Sequence, residues 1–229
     1  MCLLAGTAAR AETDSVSDRI SMPLTVVQAP PVVKRHFYNW NSPPPDMPAL
    51  NPGELGITEA TYVRVFNFKI DVISSRRVKD RYEVVISPVS ASIKLSLPVD
   101  IWVPTGSPRK LVRHEEGHRM IHETVYRDAG DLMRFHASLL KDSRYKGEAE
   151  SYRGALKNAY RLIGEDLSDI YQRYVYEFSR SVGEEYDRIT KHGANHVSEG
   201  EAIEAAFETY SAYRTEFEES REYLDRVKR

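Results

Sequence analysis

The chain has 229 residues, 41% hydrophobic and 29% charged, with a formal net charge of -2 and one cysteine. It is long enough to bury a core of its own, and its balanced charge gives no general electrostatic reason to expect a nucleic-acid or anionic-membrane partner. With Cys2 its only thiol, a disulfide framework and a cysteine metal site are both excluded, and no stretch reaches the roughly 18 apolar residues of a membrane span.

The chain opens on MCLLAGTAARAE, a short apolar run ending in Ala9-Arg10-Ala11, the small-x-small pattern that a signal peptidase cuts. Residues 1–11 therefore read as a truncated signal peptide lacking its basic start, which predicts a periplasmic or secreted protein. LLAG is followed by Thr7 and not by the cysteine of a lipoprotein. Residues 12–60 are proline-rich (QAPPVV, NSPPPDMPALNPGE) and predict an N-terminal arm or strand, VVKRHFYNW, between stiff extended linkers. Residues 61–104 alternate in strand fashion (TYVRVFNFKIDV, RYEVVISPV, SIKLSLPVDIWV) and predict a small, mostly antiparallel sheet. The basic run SSRRVKDR at 74–81 lies between two of these stretches and reads as a solvated hairpin tip, not a phosphate site. An edge strand within 90–103 would suit an extended peptide ligand.

From Ser107 onward the pattern is helical, with no proline after Pro108. Ser107 and Pro108 read as a cap and a first-turn proline, and Gly130 is placed to end the helix. Within it, LVRHEEGHRMIHE (111–123) sets His114, His118 and His122 four residues apart. On a helical wheel Leu111, His114, Glu115, His118, Ile121, His122, Val125 and Ala129 share one face. Burying imidazoles and a carboxylate on an apolar face costs several kcal/mol unless strong partners are found, and a bound cation satisfies all of them. Residues i and i+4 have Cβ atoms about 5 to 6 Å apart, so His114 and His118 can converge on one zinc ion with Glu115 beside it as general base. His122 lies about 12 Å along the axis from His114 at a rise of 1.5 Å per residue and reads as supporting or packing. The competing reading is a surface helix whose histidines pair with neighbouring glutamates.

A long helical stretch from about Gly147, with Tyr152, Leu156, Tyr160, Ile163, Leu167, Ile170, Tyr174 and Phe178 at three- and four-residue steps, leads to EEYDRITKHGANH at 184–196. His192-Gly193 reads as the helix end. A catalytic zinc takes three protein ligands and keeps an open position; Asp187, His192 and His196 are the candidates for the third. By itself His192 would read as a histidine stabilised by the helix dipole.

Taken together, HEEGHRMIHE and YDRITKHG resemble the secreted zinc-dependent proteases of bacteria grouped as domain of unknown function 922. Their pattern joins an HExGH helix to Tyr186, Asp187, Thr190, His192 and Gly193 of this chain. The resemblance spans about residues 60–196 and implies a zincin-like α+β domain with a small sheet followed by a helical bundle. It also implies His114, His118 and His192 as Zn2+ ligands, Glu115 as general base, and Tyr186 or Asp187 as a supporting or oxyanion-stabilising group. In that family pattern a small or apolar residue is expected at His122, and residues 197–229, which read as a charged amphipathic helix packed on the domain (Ile203, Phe207, Tyr210, Phe217), lie outside it. The expected protein is a single α+β zinc metallopeptidase acting on a peptide or protein substrate. The alternatives are a non-catalytic exported zinc-stabilised binding protein and a zinc hydrolase acting on a non-peptide amide.

Overall fold

A computed structural model describes residues 22–51 and 53–211 of the chain; the segment expected to be a leader and the end of the C-terminal tail, Phe217 included, lie outside the described residues. The fold is α+β with mixed sheets. Its frame is three long bent strands side by side. In the centre, β5 (Arg81–Ser96) runs into β6 (Pro98–Pro104). Along one flank, β1 (Leu24–Gln28) and β2 (Val32–Tyr38) run parallel to it; along the other, β3 (Ile57–Ala60) and β4 (Val63–Val78) run antiparallel. Each is interrupted at the same level, which divides the frame into one sheet of order β1-β5-β4 and another of order β2-β6-β3. Backbone bonds carry the pairing across the bend, from Ala29 to Leu95, Val32 to Leu97 and Thr61 to Pro98. Ile93, Leu95, Leu97, Val99 and Ile101 are buried there at alternate positions, so the bend sits inside the main core.

The described part of the proline-rich segment supplies three strands, with VVKRHFY forming β2, and the sheets are mixed because β1 and β2 lie parallel to their partners. Residues 90–103 are not an edge: both β5 and β6 are central, and β3 is the outer strand beside the helices. The basic run does form the hairpin tip, where β4 turns into β5 through Lys79 at φ 54°. Burial along β5 changes parity, from Val84, Ile86 and Pro88 to Ala91, Ile93 and Leu95, because Val89 is an extra residue opposite the Lys69/Ile70 step. A bulge of this kind returns the core-facing side chains to one face.

The first helix, α1 (Arg109–Ser138), has no side-chain cap; Ser107 instead donates its hydroxyl to the carbonyl of Pro104. It runs through Gly130 without ending. There the Gln28 side chain donates to the Tyr126 carbonyl at 2.6 Å and accepts from the Gly130 amide at 2.8 Å, spanning two groups that the helix would otherwise join. A Cβ on Gly130 would collide with the Gln28 oxygen, so the glycine admits a side chain from β1 and does not terminate the helix. A short strand unforeseen in the sequence, β7 (Tyr145–Ala149), then pairs with the start of β5.

The long helical stretch is α2 (Tyr152–Tyr171), a π-helical turn (Gln172–Glu177) and α3 (Phe178–Thr190). Its first half buries Ala155, Ala159, Ile163, Leu167 and Tyr171 in the main core. Past the wide turn it buries Val182 and Tyr186 in a second cluster with Ile121 of α1 and with Ala202 and Ala206 of α4 (Glu199–Thr209), which starts on a Ser198/Glu201 capping box. Inserting a residue into the turn shifts the helix phase, so one rod packs on the sheet at one end and on α1 at the other. No helix among the described residues is long and apolar enough to cross a membrane.

Gly147 of β7 meets α2 so closely that a Cβ would strike the Ala155 carbonyl and the Ala159 amide, whereas Gly164 in α2 faces open space. Urea unfolding should therefore show Gly147→Ala destabilised by about 3 kcal/mol and Gly164→Ala stabilised by roughly 0.5 to 1 kcal/mol. Equal effects at the two sites would contradict this packing.

Candidate metal centre

On the face of α1 turned toward α3, His114 and Glu115 are 5% and 3% exposed. Two turns of that face project the His114 and His118 rings side by side, their centroids 4.9 Å apart. From α3, Asp187 reaches between them. One carboxylate oxygen, Oδ1, lies 3.1 Å from His114 Nε2 and 2.9 Å from His118 Nε2. Ligand atoms of His114, His118 and Asp187 all fall within 4.8 Å of one another, a group that could hold a metal ion.

The remaining residues of the second motif surround His114. The Tyr186 ring stacks on it, 5.1 Å centroid to centroid and 12° from parallel, and its hydroxyl donates to the His114 carbonyl at 3.3 Å. That hydroxyl lies over Gly117, where any Cβ would collide with it. The glycine of HEEGH is therefore the space in which Tyr186 sits. Thr190 donates to the Tyr186 carbonyl at 2.8 Å, and its oxygen makes a long 3.5 Å contact with His114 Nδ1, on the ring edge away from Asp187. Such a contact on the far nitrogen orients an imidazole toward a metal. The helix then ends in three left-handed residues, Lys191, His192 and Gly193, and the His192 amide donates to the Asp187 carbonyl at 3.0 Å. The turn brings Gly193 against His114, with room for a Cβ only 3.2 Å from the His114 side chain.

Glu115 is held from the opposite wall. Thr58 of β3 lies with its hydroxyl 2.9 Å from both the carboxylate Oε2 and the backbone carbonyl of Glu115. Gly56 lies so near that a Cβ there would stand 2.8 Å from Glu115 Oε1. Burial pushes the Glu115 carboxyl up, against the lowering effect of His118 and Thr58. Burial opposes the charge on Asp187 as well, but the hydrogen bonds and charges of His114 and His118 hold that carboxyl well below the usual carboxylate range. Burial lowers His118 too, yet its bond to Asp187 and the nearby carboxylates raise it overall.

A cleft of about 410 Å3 opens over these groups. One wall is the 51–60 segment with β3, the floor is α1, and the far wall is Tyr176, Ser179, Gly183 and Asp187. The donor set suits zinc, which takes imidazole nitrogen and carboxylate oxygen, better than the all-oxygen cages of calcium or magnesium. In a tetrahedral site with bonds of about 2.0 Å neighbouring donors stand about 3.3 Å apart, close to the 3.1 and 2.9 Å that separate Asp187 Oδ1 from the two imidazole nitrogens.

Of the sequence candidates, His114, His118, Glu115 and Asp187 meet at the cleft floor. His192 stands at its rim, with Nδ1 3.7 Å from Asp187 Oδ1 and its side chain 59% exposed. His196 is exposed and outside the group. Tyr186 is fully buried behind α1 with its hydroxyl on the His114 carbonyl, so it braces a histidine and does not face the cleft as an oxyanion donor would. His122 lies one turn past His118, its Nδ1 2.7 Å from Ser179 Oγ and 3.1 Å from the Tyr62 hydroxyl. The contributions of Thr58, Tyr62 and Ser179 went unread, although a serine on the apolar stripe Val175, Ser179, Val182, Tyr186 is itself a signal of a buried polar contact. No protein-family model, no curated protein and no solved structure matches the chain.

Burial, and then the charge on His118, pushes His122 down to about 3. The unfolded chain takes up this proton near pH 6.5 while the folded chain does not until about pH 3. The stability it contributes is complete above pH 6.5 and is lost progressively as pH falls toward 3. Between pH 7.5 and 5 that share is about 2 kcal/mol, and urea titrations of wild type and His122→Gln should differ by this amount in their pH dependence. Parallel curves would contradict a neutral buried His122.

Proposed function

We propose that the chain is an exported zinc-dependent metallopeptidase of the kind its HEEGH and YDRITKHG motifs resemble. The observation that carries this reading is a buried glutamate directly beside a two-histidine, one-aspartate group on the floor of a cleft. His114, His118 and Asp187 would hold the ion, and Glu115 adjoins it without belonging to the group. A zinc ion held there would supply Lewis acidity toward a carbonyl oxygen and make a water more acidic.

The chain's own residues supply the proton traffic. Glu115 accepts a proton from the attacking water at its carboxylate and returns it to the leaving amine. Its burial raises its proton affinity, which suits a group that must take up a proton and give it back. Thr58 fixes the rotation of that carboxylate, and Asp187 stays ionised between the imidazoles. An extended substrate would add to the free edge of β3, the outer strand of its sheet and a wall of the cleft.

Elemental analysis and digestion of unfolded casein test the reading together. Glu115→Gln should keep one equivalent of zinc and lose about a thousandfold in cleavage rate. Asp187→Ala and His118→Ala should lose the metal, and His192→Ala should retain it. Full casein cleavage by zinc-loaded Glu115→Gln would remove the general-base assignment.

The position of His192, 3.7 Å from the shared carboxylate oxygen, supports a second reading. If it closes a fourth coordination position, the site is structural and the protein an exported zinc-stabilised binding protein. Loss of zinc and of folded stability in His192→Ala, with no cleavage by wild type, would favour that reading.

A further inference from the structure

The cleft contains a polar group for which the general-base chemistry has no use. His122, one turn beyond His118, lines the cleft together with Ser179. Its Nδ1 edge is fully occupied. The Tyr62 hydroxyl donates to Ser179 Oγ at 2.8 Å, and Ser179 Oγ lies 2.7 Å from His122 Nδ1. With the tyrosine proton directed at the serine oxygen, the serine proton is free to point at the imidazole. In that arrangement His122 accepts at Nδ1 and carries its own proton on Nε2. That Nε2 has no hydrogen-bond partner among the described residues. The only buried side-chain polar atoms without partners there are Trp102 Nε1 and the Tyr171 hydroxyl, so His122 Nε2 is not sealed in the core, and His122 lines the cleft.

The surrounding chain gives this donor its direction. Segment 56–62 runs alongside α1: Gly56 and Thr58 touch Glu115, and Tyr62 touches His122. A peptide added to β3 is thereby carried along α1, from the metal-binding group toward His122. Four helical residues advance about 6 Å, and an extended chain advances about 3.3 Å per residue. Two substrate residues thus span His118 to His122, and carbonyls two residues apart in an extended chain point the same way. A carbonyl facing the metal-binding group has its counterpart two residues along facing His122.

We propose that His122 is a substrate-binding residue whose Nε2–H donates to a backbone carbonyl of an extended peptide, two residues from the scissile bond. Ser179 and Tyr62 are positioning residues that fix the tautomer. This rests on the peptidase reading and extends it: the substrate is an unfolded or extended chain, held by its backbone on both sides of the cleft, by β3 and by His122.

Two measurements test it, one of them independent of activity. Long-range proton–nitrogen NMR on the wild-type protein should find His122 in the Nε2–H form, and Ser179→Ala should release that preference. With a fluorogenic peptide built on a casein cleavage site, His122→Phe should lower kcat/KM about tenfold through KM, with zinc content unchanged. His122→Gln, which restores an N–H near the Nε2 position, should recover most of the loss. An Nδ1–H tautomer in the wild type, or a folded His122→Phe variant with wild-type KM, overturns the proposal and leaves the peptidase reading intact. If the phenylalanine variant does not fold, the wild-type tautomer and the glutamine variant decide. A wild type that cleaves no casein overturns both.

Discussion

A single carboxylate oxygen holds this molecule's chemistry together. Asp187 Oδ1 sits between His114 and His118, within 3.1 Å of a nitrogen of each, where α3 crosses α1. Left unpaired on that buried face, the imidazoles and carboxylates would each carry a desolvation penalty of several kcal/mol. Meeting one another removes part of it. The crossing is set by packing, because Tyr186 fills the space left by Gly117 and stacks on His114, while Ile121 and Val182 close the apolar side of the same contact. Tyr186 and Asp187 are neighbours in sequence, so seating the first delivers the second. An alanine at 117 would displace the tyrosine and with it the carboxylate.

The other wall depends on the bend in the sheet. The chain turns at Thr61 and Tyr62, and β3 pairs only with β6. Its outer edge is left free beside the helix, with Thr58 on Glu115 and the hydroxyl of Tyr62 reaching Ser179. The π-helical turn does the same for the opposite wall, rotating Tyr176 and Ser179 into the cleft while Tyr171 stays in the main core. Irregularities in both halves of the fold thus converge on one cavity, which is where π-helical segments often occur.

How much of this was legible in the sequence follows from the range of the interactions. Helical spacing alone placed His114, Glu115 and His118 on one buried face, because a period of 3.6 residues is a local property. The choice among Asp187, His192 and His196 was not local. It depended on α3 ending at Thr190 and turning left-handed through Lys191 and His192, which leaves Asp187 on the inner face and turns His192 outward. Gly130 shows the same limit from the other side. Its reason for being glycine is Gln28, 102 residues away, and nothing nearby distinguishes it from a helix end. Strand direction was equally hidden: β1 and β2 have ordinary strand composition, and only their pairing with β5 and β6 makes them parallel.

His122 joins these strands of argument. Local periodicity assigns it to the buried face, and a rise of about 6 Å beyond His118 sets it apart from the His114, His118 and Asp187 group. What it does instead is decided by Tyr62, at the bend of the sheet, and by Ser179, just beyond the π-helical turn. Both irregular features of the fold therefore bear on one edge of one imidazole, Ser179 directly and Tyr62 through Ser179. A histidine needed only to fill space would gain nothing from two hydroxyls directed at one edge, since an apolar residue would pack there without leaving a polar group to satisfy. Fixing one nitrogen as acceptor makes the other a donor, and in this cleft that donor is the group available to hold a backbone carbonyl.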